Sequence, residues 1–221
     1  MGEPKHPTLK PFLSVAVATA AAVLVSACGI SADVADPTGA TPAPAEGRRL
    51  LDELAVAPEG SADGYDRDAF PHWETVAGSC DTREEALKRA AEPGSATVNP
   101  ETCAVTDGSW RSPYDGATWT KSSDVDIDHV VPLAEAWRSG AAQWSKDARE
   151  AFANDLEHPQ LLVVTDNVNQ EKGDQDPGSW RPPLESYWCT YAESWIQVKH
   201  HYQLTLDPTE KAALADMLAR C

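Results

Sequence analysis

One of the five cysteines in this 221-residue chain stands apart from the others. Cys28 ends an uncharged, Ala/Val-rich run, residues 11–27, which follows a short polar start carrying Lys5 and Lys10. At about 17 residues the run is near the lower limit for crossing a bilayer, and it reads as the apolar part of an export signal. An odd cysteine count in an exported protein leaves one thiol to be explained. Setting Cys28 aside leaves Cys80, Cys103, Cys189 and Cys221, which can pair in an oxidising compartment. Three pairings are open; the expectation is Cys80–Cys103 with Cys189–Cys221, because each closes a local loop. A zinc site gains little support, since no two of these cysteines stand in a C-x-x-C spacing.

The stretch Leu24-Val25-Ser26-Ala27-Cys28 resembles a bacterial lipobox, in which the Cys is lipidated and becomes the mature N-terminus. Val25-Ser26-Ala27 also suits an ordinary signal peptidase. The expectation is therefore a signal peptide over 1–27 and a membrane anchor at Cys28. The protein would sit on the outer face of the cell membrane, with simple secretion as the alternative. Residues 28–47 are rich in Ala, Pro, Thr and Gly without apolar periodicity and read as a flexible stalk. The folded domain is expected over 48–221, as a monomer.

Short β-prone pieces at 103–106, 109–110 and 117–120 are punctuated by Asp107-Gly108 and Asp115-Gly116, which points to antiparallel hairpins. Thr82 and Glu85 have capping-box spacing for a helix that ends by Pro93-Gly94. Residues 125–131 read as a strand, 133–139 and 145–156 as helices, 161–164 as a strand and 166–172 as a short helix. An amphipathic helix is expected over 184–202. Asp207-Pro208-Thr209-Glu210 caps the last helix, with Asp at N-cap and Pro at N1. Helix, then strands, then helices describes an α+β domain with a small antiparallel sheet.

Two segments carry the chemistry. Asp126-Ile127-Asp128-His129-Val130-Val131-Pro132 is followed about forty residues later by Asn167-Val168-Asn169-Gln170-Glu171-Lys172-Gly173-Asp174. With them the sequence resembles the HNH endonucleases, in particular the branch common among secreted bacterial proteins, and the likeness extends over roughly residues 65–221. The resemblance implies a ββα-metal finger holding one divalent cation, Mg²⁺ with Mn²⁺ or Zn²⁺ as alternatives, and a nucleic acid substrate, DNA first. It implies Asp128 and Asn169 as metal ligands, His129 as general base, and Lys172 as a catalytic group that points at a phosphate oxygen or buttresses a carboxylate. The spacing is consistent: neighbouring strand residues diverge, and positions i and i+3 share a helix face. Where many such fingers carry a bracing Asn, this chain has Gln160, which offers the same amide on a longer arm.

Other residues have plainer readings. Asp126 shares a strand face with Asp128 and is expected to support the site from behind; Glu135 is placed near the metal or on an ordinary helix surface. His200-His201 reads as structural, and Trp110, Trp119, Trp137, Trp144, Trp180, Trp188 and Trp195 as packing. Arg149 and Arg181 are candidates for phosphate contact, Arg149 equally for an internal ion pair. The formal charge is −17, and removal of residues 1–27 (net +1) leaves −18, which argues against gripping a duplex by charge. Against the enzyme stands a non-catalytic cell-surface binding module that keeps the finger as a scaffold. A solute-binding protein is disfavoured because no two-lobed α/β pattern is present.

Overall fold

The computed structural model describes residues 1–2 and 44–221, and the chain falls into two compact units, Met1–Val34 and Ala35–Cys221. Nearly all of the expected signal peptide, the expected lipidation site at Cys28 and most of the expected stalk lie outside the described residues.

Helix α1 (Pro44–Glu53) is already formed four residues ahead of the domain boundary expected at Arg48. Gly47 lets the helix close on its neighbour, since a Cβ there would sit 3.2 Å from Glu193 Cγ. After a 3₁₀ turn at Arg67–Ala69, the short strands β1 (Thr75–Ala77) and β2 (Cys80–Asp81) lead into α2 (Thr82–Ala90). The cap of α2 is Asp81, whose side chain accepts from Glu84 N; Thr82, read as the cap, is instead buried and bonded towards Asn154 and Glu74.

β3 (Thr97–Val98), β4 (Val105–Arg111) and β5 (Thr118–Lys121) form an antiparallel sheet in that order. β4 runs straight through Asp107-Gly108, where the sequence reads as a turn. The register shifts there instead, and the buried Trp110 ring folds over Gly108, so closely that a Cβ would lie 2.6 Å from it.

β6 (Val125–His129) then passes into α3 (Leu133–Arg138) and α4 (Lys146–Ala153). β7 (Leu161–Thr165) returns antiparallel to β6, with Ile127 opposite Val163 and Asp128 opposite Leu162, and α5 (Asp166–Lys172) follows at once. α6 (Trp188–His201) is entered through a 3₁₀ turn at Glu185–Tyr187, and α7 (Pro208–Leu218) carries the expected Asp207/Glu210 capping box. α6 is shorter than the amphipathic helix expected over 184–202 and is buried over more than one face. Tyr191, Ala192, Trp195, Ile196, Val198 and even Lys199 are buried, because α1 and α7 pack on it.

The result is an α+β fold with two apolar cores. The larger gathers α1, α3, α4, α6 and α7 around Phe70, Tyr114, Phe152 and Trp195; the smaller joins α2 and β4 to Val125, Ile127 and Val163. The β6–β7 ribbon lies between them, and its period-2 alternation turns one face to each core. The bonds Cys80–Cys103 and Cys189–Cys221 are both formed, as expected from the local loops.

Candidate active site

The end of β6 delivers two adjacent side chains to opposite faces of the ribbon. Asp128 turns towards the larger core. Its Oδ1 accepts from Lys172 Nζ at 2.9 Å, and its Oδ2 from the Tyr114 hydroxyl at 2.5 Å. Lys172 is 0% exposed and also donates to the His129 carbonyl at 3.0 Å. Of the two roles that the sequence left for Lys172, only the brace is sterically available; a wholly buried ammonium touches no phosphate. Burial pulls both partners towards their neutral forms, Asp128 upwards and Lys172 downwards, and their mutual attraction offsets part of that. Each carboxylate oxygen of Asp128 keeps a lone pair beyond these bonds.

His129 turns the other way. Its Nε2 lies 2.9 Å from the Ala153 carbonyl, which only accepts, so Nε2 carries the proton and Nδ1 holds the free lone pair. Desolvation holds its pKa down to about 3, against the weaker upward pull of the Ala153 carbonyl. The ring of Trp73 lies over it, with centroids 5.7 Å apart and planes 31° apart. The following backbone is clasped by Gln160, which is fully buried. Its Oε1 accepts from Val131 N at 3.1 Å, its Nε2 donates to Val131 O at 2.9 Å, and its own carbonyl accepts from Val130 N. The longer arm thus reaches both polar groups of one residue.

From α5, Asn169 Nδ2 donates to Asp126 Oδ2 at 3.1 Å. A carboxylate can only accept from the amide nitrogen, so Asp126 dictates which end of Asn169 faces it and leaves Oδ1 turned elsewhere. Asp126 titrates above the ordinary range, chiefly through desolvation; the Asn169 bond opposes this and nearby Asp166 adds to it. Gly173, with φ of +54°, ends the helix just beyond Lys172.

Asp128, His129 and Asn169 line one cleft of about 250 Å³, together with Tyr65, Arg67, Leu133 and Asp174 among others. It thus joins the end of β6, the face of α5 and the segment before β1.

Other candidates lie elsewhere. Glu135 is buried away from this cleft, paired with Lys199 at 2.7 Å and Arg138 at 3.0 Å, and burial raises its pKa to about 7. Arg149, expected at a phosphate or in an internal ion pair, forms no ion pair with any described residue. It donates to the Ala69, Ala141 and Trp144 carbonyls, while Asp155 serves His158 and Tyr202. Arg181 pairs with Asp216 and lies over Trp188. His200 meets Glu53, and His201 stacks on His158.

Residues 81–217 match the family model described as the GmrSD restriction endonucleases, C-terminal domain. The chain belongs to this family. A protein of the fungus Arthroderma benhamiae, described as an uncharacterized secreted protein, is 57% identical over 180 residues, covering 81% of this chain and 87% of that protein. No solved structure matches. Asp126, Asp128, His129, Gln160, Asn169 and Lys172 all fall inside the span matched to the GmrSD C-terminal domain, whereas Tyr65, Arg67 and Trp73 precede it.

The sequence reading missed three contributors to the site: Tyr114, Arg67 and Trp73. Tyr114 stood in a Pro-Tyr pair with nothing to mark it as a carboxylate partner. Trp73 is the eighth tryptophan, outside the set assigned to packing, and only the fold brings it to His129. Its backbone is itself unusual, with φ of +61°.

Proposed function

We propose that this chain is an extracytoplasmic endonuclease of the HNH type, hydrolysing phosphodiester bonds of nucleic acid, DNA first, with one divalent cation. The observation that carries the proposal is the meeting of Asp128, His129 and Asn169 in one cleft, from a strand end and a helix about forty residues later. Membership of a nuclease-type family supports it.

Of the lining residues, Asp128 keeps spare carboxylate lone pairs and Asn169 has its Oδ1 left over from the bond to Asp126, both of them oxygen donors. That set suits a hard cation such as Mg²⁺, which keeps several waters. When bound, the cation polarises the phosphate and stabilises charge on the leaving oxygen. Lys172 and Tyr114 fix the Asp128 carboxylate, and Asp126 fixes the Asn169 amide. His129 takes the proton of the attacking water on Nδ1, while the Ala153 carbonyl holds the tautomer through Nε2. A base titrating near 3 is a weak acceptor. The anionic phosphate arriving beside the ring raises that value towards the working range.

The two disulfides, and the likeness to a fungal protein described as secreted, support a site of action outside the cell. Lipidation at Cys28 is the finer reading of Leu24-Val25-Ser26-Ala27-Cys28; fatty-acid labelling that survives Cys28→Ala would remove it. The catalytic proposal is tested by plasmid nicking in Mg²⁺, Mn²⁺ and Zn²⁺. Wild type is expected to nick, and His129→Ala to be slower by about 10²–10⁴-fold. Equal behaviour of the two proteins in all three metals overturns it.

A further inference from the structure

The strong net acidity of the chain sits awkwardly with a polyanionic substrate, yet the cleft is locally balanced otherwise. Three charged residues are in its lining: Asp128, Asp174 and Arg67. Asp128 is answered from within the fold by Lys172, and Asp174 by Arg138 at 2.9 Å. No described residue answers Arg67 in this way. It is exposed, and its side chain has no hydrogen bond or ion pair to any described residue, although acids are abundant around it. Its charge is nevertheless felt at both Asp128 and His129.

The backbone that carries Arg67 is held firmly by other residues. Asp66 caps the 3₁₀ turn through Asp68 N, and Phe70 is fully buried in the larger core. Arg149 Nε donates to the Ala69 carbonyl at 2.9 Å, and Asn154 Nδ2 to the Pro71 carbonyl at 2.8 Å. A fixed turn therefore presents one unengaged guanidinium to the cleft beside the base. A guanidinium offers a planar fork of donors that matches two oxygens of a phosphate.

We propose that Arg67 binds the non-bridging oxygens of the phosphate at the scission point, making this a one-phosphate site rather than a basic groove. The inference rests on the nuclease reading and names how that site holds its substrate. It also explains how a chain of charge −17 accepts a polyanion: contact is confined to one fork, so the salt dependence of binding is shallow.

The test is binding without turnover, in a His129→Ala background, followed by anisotropy of a fluorescent oligonucleotide in Mg²⁺. Adding Arg67→Ala is expected to weaken binding about 10- to 100-fold, the range for one hydrogen-bonded charge. Arg67→Lys should recover part of this. Lys146→Ala, which removes an equal charge from an exposed site outside the cleft, should change binding less than about twofold. The slope of log K against log salt should fall by about 0.7–0.9 when Arg67 is lost. Unchanged binding on losing Arg67, equal loss with Lys146→Ala, or no binding by the His129→Ala parent overturns the inference. Nicking by wild type is scored separately. If wild type nicks and Arg67→Ala alters neither binding nor KM, Arg67 is wrong and the nuclease stands. If wild type fails to nick but Arg67→Ala abolishes binding, the phosphate site stands and the catalysis falls.

Discussion

Replacing Lys172 by Met keeps most of the apolar stem and removes one buried charge. Asp128 then sits at 5% exposure with only the Tyr114 hydroxyl, and the His129 carbonyl loses a donor. Removing one partner of a buried ion pair costs about 3–5 kcal/mol, a large share of the roughly 5–15 kcal/mol that holds a domain together. The loss should also depend on pH. Without Lys172 the folded pKa of Asp128, already raised by burial, rises further above its unfolded value. An acid whose folded pKa is raised is penalised only above its unfolded pKa. The penalty grows by about 1.4 kcal/mol per pH unit until the folded value is passed. Denaturant unfolding with the disulfides intact, at pH 4.5 and 7.5, should therefore show a clearly larger deficit at the higher pH. Asp128→Asn in the Lys172→Met background should recover most of it, since no buried charge remains. A deficit below about 1 kcal/mol at pH 7.5, or one equal at both pH values, refutes the reasoning.

Three further outcomes follow from the same geometry. His129 titrates near 3 in the folded chain against about 6.5 unfolded, so the unfolded state binds the extra proton between those values. Its contribution to stability is complete above about pH 6.5 and shrinks as pH falls towards 3. His129→Asn should flatten that part of the stability profile, and an unchanged profile refutes the assignment. For the same reason, kcat/KM of the free enzyme should show no acid limb near 6.5. Gln160→Ala leaves the buried N–H and carbonyl of Val131 without partners, at about 1–3 kcal/mol for each such group. Unfolding should show a loss of about 2–6 kcal/mol, with Gln160→Asn, one methylene shorter, recovering less than half; a loss below about 0.5 kcal/mol for the Ala variant removes the clasp.

Much of this molecule was written locally. The Asp207-Pro208-Thr209-Glu210 cap, the short helix ending at Gly173 and the strand of alternating residues before Pro132 depend on neighbours in sequence, so periodicity and capping chemistry found them. The loop-closing disulfide pairs were legible for the same reason. Other features depend on which segments meet. α6 looked amphipathic until α1 and α7 covered it, and Asp107-Gly108 looked like a turn until the Trp110 ring folded over the glycine.

Asp128, His129 and Asn169 were singled out together because the two segments that carry them resemble the HNH endonucleases, and the fold brings all three to one cleft. What each does with its neighbours was not legible in the sequence. Burial alone turned Lys172 from a possible phosphate contact into a brace, and burial rather than residue type moved His129 to about 3. Glu135 stands only seven residues from Asp128 in sequence, yet its charge is spent on Lys199 and Arg138. Tyr114, Trp73 and Arg67 reach the site from segments without a motif of their own. The sequence by itself determined the α+β class and narrowed the four cysteines to three pairings, of which the structure forms the two local loops, and it named candidate residues for the chemistry. Only the tertiary structure decided which of them are exposed to a substrate, because exposure and pairing are set by contacts between segments far apart in the chain.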